Sequence, residues 1–133
     1  MNILVVGGCG YIGGAVTDLL QGSGSRVRVY DALLYEECYR KPVDFVYGDI
    51  RDQDRLLDQL RWADVVVWLA ALVGDGACAL NPEITVAINE EPLRWLAANY
   101  RRRIIFMSTC SVYGAQDAVL DEGSPTGPLS VYA

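Results

Sequence analysis

The chain has 133 residues, about half of them apolar, which fits one domain with a substantial core. Seventeen Asp and Glu against eleven Lys and Arg give a net charge of −6, which argues against general nucleic-acid binding because phosphate contacts need clustered cations. There is no His, the four cysteines (Cys9, Cys38, Cys78, Cys110) form no CxxC pair, and the longest apolar run, residues 65–74, is far short of the ~20 residues a membrane helix needs, so neither a metal site nor a membrane span is expected.

Asn2-Ile3-Leu4-Val5-Val6 is apolar without alternation, as in a parallel strand buried on both faces. Gly7 and Gly8 end it. An amphipathic helix follows, with Ile12, Val16, Leu19 and Leu20 on one face, stopping near residues 22–24. Residues 26–30 and 43–47 read as the second and third strands, and 52–61 as a helix with Leu56, Leu57 and Leu60 inward. Residues 65–70 are the strongest strand, and Gly74 to Gly76 mark a loop after it. Pro82 opens a long helix to about Tyr100, which Pro92 should kink or divide. Arg101-Arg102-Arg103 reads as a helix C-terminal cap leading into a fifth strand at 104–107. Residues 108–133 look irregular, with the start of another helix hinted only at the very end.

Strands alternating with helices predict one α/β domain over residues 1–133, a Rossmann-type doubly wound parallel sheet with five strands in order 3-2-1-4-5. Ligands of such sheets bind at the carboxyl ends of the strands where the order reverses. Gly7, Gly10 and Gly13 form GxxGxxG between the first strand and the first helix. The first glycine permits a tight turn, the second lets a pyrophosphate approach the backbone, and the third lets helix and strand pack closely. The free amides of the helix N-terminus, including Tyr11 and Ile12, then face the phosphates. Asp31 follows the second strand, where an acid accepts hydrogen bonds from the adenosine ribose hydroxyls and repels a 2′-phosphate. Ala32 follows with no Arg, so the pattern selects NAD over NADP. Asp49 and Ile50 end the third strand; there an acid can meet the adenine amino group beside a neighbouring amide, or cap the next helix. Leu69-Ala70-Ala71 could let a dinucleotide cross the sheet edge, or be plain core. Cys9 and Cys110 read as small packing residues near the cofactor.

These residues, with Gly48-Asp49-Ile50-Arg51-Asp52 and Ser108-Thr109-Cys110-Ser111-Val112-Tyr113-Gly114, resemble the extended short-chain dehydrogenase/reductases, specifically the NAD-dependent sugar-nucleotide epimerase/dehydratase group, over the whole chain. The resemblance implies NAD as cofactor, a nucleotide-sugar substrate and transient hydride transfer to NAD; the four scattered cysteines read as reduced thiols in a cytoplasmic protein, and apolar surface on a fifth strand left uncovered by truncation predicts a homo-oligomer. It assigns Thr109 to polarising the reacting hydroxyl and Tyr132, at the start of a Tyr-x-x-x-Lys motif, to the general base. Thr109 could instead bond local backbone, and Tyr132 could be a frayed terminal residue. The Lys would fall three residues past Ala133, so the resemblance implies a truncated, inactive piece of a longer enzyme. Dehydratases of the group place acids after the Thr, whereas Cys110 and Ser111 are small and uncharged, resembling an epimerase. A dehydratase or reductase parent, or a non-catalytic NAD-binding module, is the alternative reading. Asn89 matches a family Asn, but Pro92 stands where a Gly is usual, and Asn89 is given no role.

Overall fold

The computed structural model describes all 133 residues. Five parallel strands, β1 (Asn2–Val6), β2 (Arg26–Asp31), β3 (Asp44–Tyr47), β4 (Val65–Trp68) and β5 (Arg103–Phe106), lie in the order β3-β2-β1-β4-β5. The order expected from right-handed crossovers is therefore the one observed. β1 sits centrally, with Val5 beside both Val29 and Val67, and its unbroken apolar run is buried as a two-faced strand should be.

Alternate residues feed two core layers. On one face Leu4, Val6, Tyr30, Val66 and Trp68 pack with Leu56 and Leu60 of α2 (Gln53–Trp62) and Leu96 of α5 (Glu91–Asn99). On the other, Ile3, Val5, Val27, Val29 and Val67 pack with Val16 and Leu20 of α1 (Tyr11–Gln21), with Tyr39 and Val43 from the β2–β3 connection and with Phe45 of β3. Lys41 holds that connection to α1, its Nζ donating to the Gly14 carbonyl at 2.8 Å and to the Asp18 carboxylate at 2.5 Å.

The face of α1 differs from the sequence expectation. Ile12 and Leu19 are more than half exposed, whereas Gly13 and Thr17 are buried. A Cβ on Gly13 would lie 2.3 Å from the Gly7 carbonyl oxygen, so the helix meets the loop through its smallest residue. That contact turns the 13/16/17/20 stripe inward and carries positions 12 and 19 to the sides. Thr17 satisfies its buried hydroxyl on the Gly13 carbonyl at 2.7 Å.

Pro92 does divide the long helix. α4 (Pro82–Asn89) ends at Glu90, and α5 begins at Glu91 with Pro92 in its first turn, where the missing N–H costs nothing. The loop expected at residues 74–76 instead runs into a short helix, α3 (Asp75–Leu80), started by Gly74 at φ 93°. The arginine run does not cap α5. Arg102 crosses the fold to the end of α2, donating to the Ala63 carbonyl at 2.6 Å and to Asp64 at 3.1 Å. After β5 comes one 3-10 turn, Cys110–Tyr113, then irregular chain to Ala133, with no helix at its end. No helix is long and apolar enough to cross a membrane.

Candidate functional site

A cleft of about 280 Å³ opens across the carboxyl ends of β1, β2, β3 and β4. Gly7, Gly10, Asp31, Ala32, Asp49, Ile50, Leu69, Ala70 and Ala71 all line it, so nine residues singled out from the sequence converge. It lies where the strand order reverses, as expected for this topology.

The glycines of the loop are needed for separate reasons. Gly7 has φ 85°, and a Cβ there would meet the Ala70 backbone nitrogen at 2.5 Å. This contact joins the loop after β1 to the end of β4, where the Leu69 and Ala70 amides both donate to the Val6 carbonyl. Gly13 is fixed by the helix contact above. Gly10 is different: a Cβ there would come no closer than 3.6 Å to any protein atom. No packing within the polypeptide requires a glycine at that position. The amides of Tyr11, Ile12 and Gly13, the first turn of α1, have no acceptor in the protein. They form an anion cradle with the positive end of the helix dipole. Tyr11, Ile12 and Gly13 are not part of the cleft wall.

Asp31 braces the site. Its Oδ2 accepts from the Cys9 amide at 2.9 Å and its Oδ1 from the Leu33 amide at 2.8 Å. A carboxylate has about four acceptor positions, so two remain free. The Cys9 bond ties the glycine loop after β1 to Asp31. Burial, reinforced by the Asp31 charge, pushes the Cys9 thiol up to about 12, so Cys9 is a packed, protonated thiol, as the sequence reading held. Cys110 is exposed and sits outside the cleft.

Asp49 does not cap the next helix; Asp52 does, accepting from the Arg55 amide at 3.1 Å. Asp49 is instead gripped by Arg51, whose side-chain hydrogen bonds hold its carboxyl below the usual carboxylate value. Gly48 is dictated by Tyr30. A Cβ there would lie 2.3 Å from the Tyr30 hydroxyl oxygen, which donates to the Asp49 carbonyl at 2.8 Å.

Sequence reasoning missed part of the wall. Leu33 and Leu34 line it beyond Ala32, with Leu33 in the left-handed region at φ 52°, and Ile84 and Ile88 close it from α4. The i, i+4 spacing of the two isoleucines was the available signal. Asn89, given no role from the sequence, makes a two-point clamp. Its Oδ1 accepts from the Leu72 amide and its Nδ2 donates to the Leu72 carbonyl, both at 2.8 Å. It thereby fixes the loop after β4 that carries Leu69 to Leu72.

Thr109 and Tyr132 do not line this cleft. Thr109 caps the 3-10 turn, its Oγ1 accepting from the Ser111 amide at 3.2 Å, which is the local bond the sequence also allowed. The hydroxyl proton stays free to donate. Tyr132 is partly buried in irregular chain, next to Ser130, which donates to Asp75 at 2.6 Å. No hydrogen bond joins Thr109 to Tyr132.

The sequence matches the NAD dependent epimerase/dehydratase family over residues 3–133. The chain belongs to that family. It is 35% identical over 140 residues to a UDP-glucose 4-epimerase of Rhizobium meliloti, covering 98% of this chain and 42% of that protein. It is 34% identical over 159 residues to a dTDP-glucose 4,6-dehydratase of Streptomyces niveus, covering 100% of this chain and 45% of that one. Among solved structures, a UDP-glucose 4-epimerase from Brucella ovis in complex with NAD superposes with a TM-score of 0.87 at 31% identity, over 98% of this chain and 43% of that one. The chain thus spans less than half the length of these relatives.

Proposed function

We propose that this chain is the NAD(H)-binding domain of a nucleotide-sugar epimerase. The observation that carries the reading is the cradle of three acceptor-free amides beyond Gly10, with Asp31 braced beside it. The amides of Tyr11, Ile12 and Gly13 bind the pyrophosphate, and Gly7 and Gly10 admit it. Asp31 accepts from the adenosine ribose and, as an anion, disfavours a 2′-phosphate, which selects NAD over NADP. Asp49 and Ile50 receive the adenine, while Leu69, Ala70 and Ala71 carry the dinucleotide over the sheet edge. The bound nicotinamide supplies a reversible hydride acceptor. Thr109 would donate a hydrogen bond from its free hydroxyl to the reacting sugar oxygen, polarising it. Tyr132 would take that oxygen's proton once held near Thr109.

Titration calorimetry with NAD, NADH and NADP, repeated on Asp31→Ala, tests the binding half. Binding of NAD(H) that weakens in the variant supports the assignment, and no heat from any dinucleotide refutes it. A dehydratase is the second reading, favoured by the Streptomyces relative and opposed by the uncharged Cys110-Ser111 pair after Thr109. Product analysis after incubation with UDP-glucose and dTDP-glucose separates the two. An inverted sugar marks the epimerase and a 4-keto-6-deoxy sugar the dehydratase, while no turnover with intact NAD binding leaves a non-catalytic module. Four unpaired thiols support a cytoplasmic setting. The exposed edge of β5 supports homo-oligomerisation.

A further inference from the structure

A single hydrogen bond ties residues 108–133 to the rest of the molecule. This segment carries both Thr109 and Tyr132, and its other hydrogen bonds stay within it. The Gly127 amide donates to the Val112 carbonyl, and Gln116 Nε2 donates to the Tyr113 and Pro125 carbonyls at 3.0 and 3.2 Å. No ion pair reaches the segment, and none of its side chains joins either core layer. The exception is Ser130, whose hydroxyl donates to Asp75 Oδ1 at 2.6 Å, across 55 residues of sequence. A hydroxyl donating to a carboxylate at this length makes a strong, charge-assisted bond. The same Ser130 oxygen accepts from the Ala133 amide at 3.1 Å, closing a turn around Val131 and Tyr132.

Asp75 is itself firmly held. It opens α3, three residues beyond Leu72, which lines the cleft and is clamped by Asn89 at both its amide and its carbonyl. Buried Cys78, one turn along α3, donates from its thiol to the Leu72 carbonyl at 3.5 Å, and the buried Thr85 hydroxyl of α4 donates to the Cys78 carbonyl at 3.0 Å. The anchor for Ser130 therefore belongs to the same assembly as the cleft wall after β4.

We infer that Asp75 is a positioning residue for Tyr132, holding through Ser130 the turn that carries Tyr132 beside the β4 end of the sheet. The inference rests on the reading of Tyr132 as the proton acceptor and adds the residue that places it. An exposed segment with so few contacts opens at little cost, so losing its one outside bond releases the turn.

Fluorine NMR of the chain labelled with 3-fluorotyrosine tests this, the Tyr132 line among the eight tyrosines being assigned by its absence in Tyr132→Phe. In the wild type that line should stand apart from its position in the urea-unfolded chain and shift when NAD is added. In Asp75→Ala it should collapse to the unfolded position and stop responding to NAD, while NAD affinity by calorimetry stays unchanged. Ser130→Ala should reproduce that signature by breaking the same bond from the irregular chain, where no core packing is disturbed. The double variant should add nothing, since both single changes remove one interaction. Asp75→Asn keeps an acceptor oxygen and should hold the line near its wild-type position. A Tyr132 line that stays in place and still follows NAD in Asp75→Ala, or in Ser130→Ala should Asp75→Ala fail to fold, overturns the inference. A merely structural role for Asp75 in α3 gives that result together with a lowered melt. A wild-type line that ignores saturating NAD overturns the reading of Tyr132 as the base, and this inference with it.

Discussion

The molecule has two glycine-bearing loops at strand ends, one after β1 and one after β5, and they are held very differently. After β1, Gly7 abuts Ala70, Gly8 abuts the Val29 side chain and Gly13 abuts Gly7 and Gly8, with the central strands of the sheet behind all of them. After β5, the 3-10 turn closes on Gly114 at φ 69°, and its opposite wall is Gly127, whose amide donates to the Val112 carbonyl at 2.9 Å. Gly127 belongs to irregular, largely exposed chain. The strands repeat the contrast. β1 and β4 are buried on both faces, while Ile105 and Phe106 of the equally apolar β5 are 44% and 48% exposed. Apolar sequence makes both strands, but only flanking helices turn one into a rigid platform. The cofactor cradle stands on the rigid end, and the residues assigned to chemistry stand on the other.

Alanine at Gly13 and at Gly114, where an added Cβ meets backbone at similar distances, should separate the two loops most. Gly13→Ala forces a Cβ to within 2.3 Å of one backbone atom and 2.6 Å of another, in a helix–strand contact that cannot open without moving α1. It should cost about 3 kcal/mol or more, and abolish NAD binding. Gly114→Ala meets the Gly127 carbonyl oxygen at 2.1 Å and adds a positive-φ penalty, yet its neighbour is loosely held and can shift. A loss of about 1–2 kcal/mol is expected there, with NAD affinity nearly unchanged. Denaturant melts of both variants measure the difference. Equal losses would show that the two loops are equally constrained.

Asp31→Ala probes how the rigid end is wired. It removes the bond from the Cys9 amide and the bond from the Leu33 amide together. Both are partly buried, so the fold should lose about 1–2 kcal/mol. The larger effect falls on binding: NAD affinity should drop about a hundredfold, with two ribose bonds gone and the loop unbraced. Asp31→Asn keeps one acceptor oxygen and should recover part of the stability while narrowing the preference for NAD over NADP.

The contrast also explains what the sequence could and could not convey. Strand order was legible because buried runs such as Val65-Val66-Val67-Trp68 and right-handed crossovers leave few arrangements. The cleft wall near Gly7, Asp31, Asp49 and Ala70 was legible because each residue terminates a strand. The stripe of α1 was misread by about one position. Periodicity locates apolar residues, whereas close approach at Gly13 decides which side faces inward. α3 was invisible because six residues carry too little pattern. Asn89 was seen but could not be used: its partner is the backbone of Leu72, seventeen residues away, and a backbone partner leaves no mark in sequence.

Thiol chemistry gives a third measure of the two ends. Burial and the Asp31 charge hold Cys9 near 12 against an ordinary 9.0, and burial holds Tyr30 and Tyr39 near 12 against 10.0. For groups raised in the fold, the stabilisation is complete below the unfolded value and is lost as pH climbs through the folded one. Stability should therefore begin to fall above about pH 9 and keep falling towards pH 12, mainly through the phosphate-loop end. At pH 8, iodoacetamide should label exposed Cys38 and Cys110 well before Cys9. Rapid labelling of Cys9 would mean that the loop opens far more readily than its packing implies.

The smallest change in stability should come from the uncovered strand. Ile105 shares a sheet face with its register partner Val67, which is 8% exposed and packs with the α1-side core, yet no helix reaches Ile105 itself. With Phe106 and Met107, both about half exposed, it forms an apolar edge next to unpaired backbone groups. Such edges pair with further chains, and a second copy supplies one at high concentration. Ile105→Lys should change the melt by no more than about 0.5 kcal/mol, since little burial is lost. Its effect should appear in sedimentation velocity, where the wild type self-associates with rising concentration and the variant stays monomeric. Val67→Lys, one strand inward, should unfold the protein outright, because a charge there displaces a side chain packed between β1 and β5. If Ile105→Lys were as damaging as Val67→Lys, the edge of β5 would already be part of the core, and the division between a rigid and an open end of this sheet would fail.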